Sequence, residues 1–596
     1  MDPKSPVETD LLIVGAGPAG ASLACFLARY GLKGIVISSA PGTARTPRAH
    51  INNPAAMECM RDIGLWDECR KLGHGGVFLR HFRWCETMAG EEYARVYSFG
   101  EGVRQGDVAA TSPCWYLDLP QNLLEPVLVK FATTNGFKVR FDTQLIGFEE
   151  KGGGKVLCDV RDRVSGATYQ ISTKYLFGAD GARSLVAQKL DLPMTEHPGG
   201  GMAFNVLVRA DLSHLMRFRE GNLNWCVRLE RDYPFTCVGR MVKPWYEWIF
   251  VFFPKGPGVA APERSEKEWK EVVEDYIGDP KVQVEVLDVS KWLVNETSAN
   301  VISKGNVFCL GDAIHRHPPT LGLGSNTCIQ DAFNLSWKIH LVLKGLASPS
   351  LLSTYNTERQ PVAAQLVKES NDILRKHAEV WQALGAKGPG SSEEERMQGI
   401  RELRQNTPGG RQRRKLLKER IDYMQHETNT MGIQMGQLYT STAIDASSEP
   451  RPFAPGPREA SEPALYYDPS TYPGRRLPHV WLNTPVPGPL VSTLDIAGKG
   501  RFALFTGIGG ELWKEAAQAV GEELGVEIKA VAIGIGAEWE DPYFEWMGVR
   551  GVEDDGCVLV RPDLFVAWRA ESGGEELQRL GMVLRGILGV KDSASG

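Results

Sequence analysis

Asp10-Leu-Leu-Ile-Val-Gly-Ala-Gly-Pro-Ala-Gly20 opens the first structural unit of the chain. Residues 11–14 are four apolar residues in a row, the mark of a short strand buried on both faces. Gly15, Gly17 and Gly20 follow in the spacing G-x-G-x-x-G, and Ala21-Ser-Leu-Ala-Cys-Phe-Leu-Ala opens an apolar-rich helix. In such a unit the first glycine permits the tight turn. The second lets a pyrophosphate approach the backbone, and the third lets helix pack closely on strand. The helix start then offers free N–H groups and a partial positive charge. The stretch predicts a bound dinucleotide. One expected part is missing: Ser38 ends the second strand, Gly34-Ile-Val-Ile, where an acid ordinarily bonds the ribose.

Outward from this turn, the chain has 596 residues, room for several domains with their own cores. Hydrophobic residues make up 42% and charged residues 23%, the balance of a globular chain, and the net charge of −6 gives no basic excess for nucleic acid. The basic run at 411–415 reads as a solvated helix face. Eleven cysteines are scattered without a C-x-x-C pair or a metal-like spacing, which fits free thiols in a reducing compartment and no metal site. The polar start and the lack of a long apolar run predict a cytoplasmic chain without a membrane span.

The pattern divides into five segments: 1–190, 191–298, 299–385, 386–473 and 474–596. Strand, helix and strand open the first, residues 83–112 read as irregular, and the triple glycine 152–154 marks a hairpin. The second is β-rich and aromatic around 238–253. The third begins with the buried strand Asn306-Val-Phe-Cys-Leu and a long helix. Glycine- and proline-rich stretches at 386–410 and 447–463 are linker signals. A compact α/β pattern closes the chain, with Gly507-Ile-Gly-Gly510 read as a plain turn.

Two further motifs end apolar strands: Gly178-Ala-Asp-Gly-Ala-Arg-Ser184, and Gly311-Asp-Ala-Ile-His-Arg-His-Pro-Pro-Thr-Leu-Gly-Leu-Gly-Ser-Asn326. Asp312 at a strand end can accept bonds from ribityl hydroxyls, and the glycine turn after it can offer backbone N–H groups. With TPRAHINN at 46–53, YLDLPQNLLEPVL at 116–128, RMVKPWYEW at 240–248 and YNTERQP at 355–361, the chain resembles the class A flavin monooxygenases. Within them it is similar to the phenol 2-monooxygenase and 2,4-dichlorophenol 6-monooxygenase group.

That resemblance implies a Rossmann-like FAD domain with an inserted β-rich substrate domain and a C-terminal thioredoxin-like α/β domain. It implies FAD contacts from Gly15, Gly17, Gly20, Ser38, Arg48, Gln121, Asp180, Arg183, Asp312, Gly322, Gly324 and Asn326, with Pro318 and Pro319 on the reactive face of the ring. NADPH or NADH would be co-substrate without a domain of its own. Ala187 departs from the arginine usual in the middle motif and leaves the choice between them open. The implied reaction is hydroxylation of a phenolic ring by O2 through a flavin C4a-hydroperoxide. Baeyer–Villiger insertion or epoxidation on a polyketide-like aromatic is an alternative, as is an oxidase or dehydrogenase.

His50 is the candidate base, since its ordinary pKa of roughly 6.5 suits removal of a phenolic proton near neutrality. His315 and His317 read as structural. Trp225, Trp245 and Trp248 are candidate walls of the aromatic cavity. The C-terminal domain, without redox cysteines, is expected to serve packing or a homodimer.

Overall fold

A computed structural model describes residues 5–255, 263–386 and 391–590. Its first sheet has a parallel core in the order Val307–Cys309, Thr168–Gly178, Val7–Val14, Ile35–Ile37, Lys138–Arg140. Leu11, Leu12 and Ile13 have no exposed surface in the middle of it, hence the unbroken apolar run. The triple glycine joins Thr143–Lys151 to Lys155–Asp162 as an antiparallel hairpin, and Gly153 and Gly154 take φ of +79° and +74° there.

The second sheet runs His315–Arg316, Glu285–Ala299, Met194–Arg209, Glu247–Pro254, Phe235–Lys243, Leu223–Cys226, His81–Cys85, Glu92–Tyr97. Its last two strands come from inside 1–190, the segment expected to hold only flavin-binding structure. Residues 92–97, expected to be irregular, form an edge strand that is only partly buried, so no apolar alternation marks it. One face of this sheet lies under the helix Glu266–Ile277, which starts at a Ser265–Glu268 capping box and stops at left-handed Gly278. The other face turns toward the helix Thr354–Leu384 and the turn carrying Leu321 and Leu323.

The C-terminal sheet orders Ile528–Ala532, Phe502–Thr506, Cys557–Val560, Val566–Ala570, with the helices Glu511–Leu524 and Glu576–Leu588 packed on it. The connector is more helical than its linker composition suggests, with Glu393–Arg404 and Pro408–Tyr423 in place. Part of the glycine-rich stretch, 387–390, lies outside the described residues, as does the C-terminal 591–596. Among the described residues no helix is long and apolar enough to cross a membrane.

Candidate active site

The three glycines of the first turn divide their work by space. A side chain on Gly15, at φ +108°, would strike the Ala179 carbonyl oxygen, and one on Gly20 would strike the Gly15 carbonyl and crowd Ile13. These two are held to glycine by the protein itself. Gly17 is different: among the described residues outside its own turn and helix, the one atom within 4 Å of its missing Cβ is Glu125 Oε1, 3.9 Å away. The helix Pro18–Arg29 begins there with Pro18 at N1, no side-chain cap and no acid in its first turn. An open backbone before an uncapped helix start is what a pyrophosphate requires.

The space in front of this helix start is the candidate recess for the cofactor. Ser38 follows Ile37, and its Oγ accepts from the Ala40 N–H at 3.3 Å. Gln121 donates to Glu125 Oε1 at 2.5 Å, and Glu125 Oε2 accepts from the Ala44 N–H at 2.5 Å. Arg48 and Arg183 are exposed. The charge of Arg48 reaches both Glu125 and Asp312, whose carboxyls are nevertheless raised in pKa, chiefly by burial. Asp312 keeps open surface while protein crowds it, as expected for a group lining a recess. Pro318 is buried and Pro319 open, and Leu321 and Gly322 take φ of +68° and +63° in the turn that follows.

Residues 49–52 run antiparallel to 117–121. The Leu119 N–H donates to His50 O and the Gln121 N–H to Ala49 O. This pairing sets His50 beside Asp118, with Nδ1 3.0 Å from Oδ1. Asp118 is fully buried and its Oδ2 accepts from Asn222 Nδ2 at 3.1 Å. Burial would raise the Asp118 pKa, but His50 and then Arg240 bring it below the usual carboxylate range. Asp118 is therefore ionised, Nδ1 of His50 carries the proton, and Nε2 presents a lone pair. Burial, then the Arg240 charge, lowers the His50 pKa against the pull of Asp118. Arg240 itself donates to the Arg48 and Pro47 carbonyls at 2.7 and 2.9 Å, tying the sheet to the recess.

Comparison with known proteins identifies the family. The FAD binding domain family matches residues 8–370, and the aromatic-ring hydroxylase C-terminal family matches 470–590. The chain belongs to the FAD-dependent aromatic-ring hydroxylases. It is 42% identical to 2,4-dichlorophenol 6-monooxygenase of Cupriavidus pinatubonensis, covering 95% of this chain and 94% of that one. It is 40% identical to phenol 2-monooxygenase of a Pseudomonas species, covering 95% and 90%. Among solved structures, the flavin-dependent monooxygenase PieE in complex with FAD and substrate superposes at a TM-score of 0.93 with 37% identity, over 98% of this chain and all of that one.

Within this hydroxylase several expected contacts take other roles. Asn326 is fully buried: its Oδ1 accepts from the Asn53 N–H, and its Nδ2 donates to Ile51 O and Gly322 O. With those bonds it stitches the His50 strand to the glycine turn instead of reaching into the recess. The Asp180 carboxylate is bound to Ser184 Oγ and to the Leu185 and Val186 N–H groups, so it caps the helix Leu185–Lys189. Gly324 faces His317, at 3.5 Å from where its Cβ would be. Ala187 is buried in the core.

Trp225 and Trp248 are packing residues. Trp225 lies on the sheet face toward Leu321 and Leu323, but Phe253, His377 and Trp381 enclose it, the His377 ring at 4.3 Å. Trp248 is fully buried on the opposite face with Trp269, and Trp245 packs against the same cluster. Glu125, Asp118, Asn222 and Arg240 were missed as functional candidates. Three of these four lie in the family-like stretches 116–128 and 240–248, which gave the only signal.

Proposed function

We propose that this hydroxylase takes a phenol, O2 and NADPH or NADH, and adds a second hydroxyl to the ring. FAD, when bound in the recess and reduced, supplies the activated oxygen. The chain's own task is to present a ring electron-rich enough to be attacked. Ionising a phenol of pKa about 10 at pH 7 costs about 4 kcal/mol. His50 Nε2 takes that proton, and Asp118, already bonded at Nδ1, stabilises the imidazolium that results. The His50–Asp118 pair beside the flavin turn is the observation that carries this reading. The names of the phenol and dichlorophenol monooxygenases favour a small phenol over a polycyclic one.

Because the His50 pKa is lowered, the base stays neutral at pH 6.5. Activity should hold there and fall only as the pH drops through that lowered value. Asp118→Asn should cut the oxygen-transfer rate by about 10²-fold, by reversing the tautomer His50 needs. The deciding experiment supplies FAD, NAD(P)H and 18O2 with a phenol panel. One labelled oxygen in the product supports the reading; reductant consumed with peroxide alone, for every phenol, overturns it.

The eleven cysteines are all free and buried, which supports a cytoplasmic location. A homodimer through the C-terminal domain is part of the same proposal. Exposed Ile535, Tyr543, Phe544 and Met547 supply apolar surface for it, and sedimentation of the full chain tests it.

A further inference from the structure

The helix Gly324–Leu343 starts at the flavin turn and carries Asp331, Asn334 and Lys338 along one stripe. Asp331 Oδ2 accepts from the Gly311 N–H at 3.3 Å and lies 3.0 Å from His315 Nε2. Gly311 precedes Asp312, takes φ +67°, and its missing Cβ would press on Ala19 of the dinucleotide-binding helix. On the far side, Arg359 donates to Asp331 Oδ1 at 2.8 Å and to the Tyr439 hydroxyl at 2.9 Å. The Tyr439 ring stacks on Phe565 of the C-terminal domain at 4.1 Å.

Next along the chain, Glu358 receives both Arg561 terminal nitrogens, at 2.6 and 2.9 Å, and Lys338 Nζ at 2.7 Å. Arg561 also binds Asp563, and Asn334 joins Asp563 to Glu358. Each of these charged side chains is at most 1% exposed. Lys338, Arg359 and Arg561 balance Asp331, Glu358 and Asp563.

Such a network has one sharp property. Removing one member leaves a buried charge without a partner, so the neighbours must move. Arg561 also lies over the Tyr439 ring, 5.5 Å from its centroid, and the Tyr439 hydroxyl holds Arg359, the partner of the carboxylate that accepts the Gly311 N–H. Arg561 and Asp563 sit in the turn between Cys557–Val560 and Val566–Ala570, so the last domain of the chain supplies two of the six charges.

We propose that the C-terminal domain acts as a buttress of the flavin turn: Arg561 and Asp563 act through Glu358 and Arg359 on Asp331, which positions Gly311 and Asp312 for FAD. Arg561, Arg359 and Asp331 are thus positioning residues, and the domain without redox cysteines has a role in cofactor retention. The proposal rests on the FAD-binding reading.

The test uses the full chain and FAD titrated by flavin fluorescence, at a temperature where every variant is folded. Arg561→Met should weaken FAD by about tenfold, within the usual range of coupling between sites. Arg561→Lys, which keeps the charge and loses the bidentate geometry, should fall between Met and parent. Leu584→Ala, a core change in the same domain without a bond to the network, should lower the melting temperature and leave FAD affinity unchanged. If Arg561→Met does not accumulate as folded protein, Tyr439→Phe removes the single hydroxyl that Arg359 binds and should weaken FAD in the same direction. Parental FAD affinity in the folded Arg561 or Tyr439 variants, while Gly17→Ala loses FAD, overturns the buttress and leaves the FAD site standing. Parental affinity in Gly17→Ala as well overturns the FAD site itself. Equal loss of FAD in Leu584→Ala overturns the buttress in favour of general destabilisation.

Discussion

Two turns in this protein have nearly the same spelling, a strand, a run of glycines, then a helix, and only one is built for a phosphate. At Gly15–Gly20 two glycines are pinned by neighbouring backbone, while Gly17 faces open space before an uncapped helix. At Gly507–Gly510 the protein has filled that space. A side chain on Gly507 would meet Asp554 O at 2.5 Å, one on Gly510 would strike Thr506, and Asp555 lies 3.6 Å from the position on Gly509. The helix there opens with Glu511, and two aspartates flank the turn, so both shape and charge refuse an anion. What distinguishes a nucleotide turn is vacancy at one glycine, which spacing alone does not display.

The largest expected effect follows from that contrast. Gly17→Ala should weaken FAD by about 10²-fold or more, because the methyl occupies the pyrophosphate's approach, with the fold kept since nothing in the protein clashes. Gly509→Ala, at φ +86°, should do the opposite: cost about 1 kcal/mol of stability and leave FAD untouched. Flavin titrations and melting curves on both variants read the comparison directly. A yellow, stoichiometric Gly17→Ala protein breaks it.

Acid probes the second region through one buried histidine. His479 in the C-terminal domain is 5% exposed, and burial pushes its pKa down to about 4. The unfolded chain binds that proton more readily, so stability is complete above pH 6.5 and is lost as the pH falls from there toward 4. The loss amounts to about 3 kcal/mol for this one group. Denaturant melts across that window should show it, and His479→Gln should flatten the slope.

The smallest effect sharpens the first region. Ser38→Glu should tighten FAD by about fivefold, since a charge-assisted bond contributes roughly 1 kcal/mol more than a neutral one. Unchanged affinity would mean that the ribose is held elsewhere.

Most of the scaffold was legible because its signals are local. A buried strand, three spaced glycines and a strand-terminal Gly311-Asp312 each lie within a dozen residues. What escaped reading is what depends on distant pairing. His81–Cys85 joins the second sheet by lying along Leu223–Cys226, some 140 residues away, and nothing in its own residues names that partner. His50 stood out as a histidine in a recognised segment, but Asp118 that bonds it, Asn222 that bonds Asp118, and Arg240 that bonds the Arg48 carbonyl come from three other places in the chain. The tryptophans show the limit from the other side: an aromatic strand announces burial without saying which face of the sheet is the core.

The proposed chemistry turns on His50 removing the phenolic proton. Its most direct test is the coupling of NAD(P)H use to product in His50→Ala, measured with a phenol of ordinary pKa and with one already ionised at the assay pH. The expected result is a variant that still binds and reduces FAD, loses about 10²–10⁴-fold in oxygen transfer to the ordinary phenol, releases peroxide instead, and recovers with the ionised one. Coupling equal to the parent with both phenols would contradict it, and so would a loss of the same size with both.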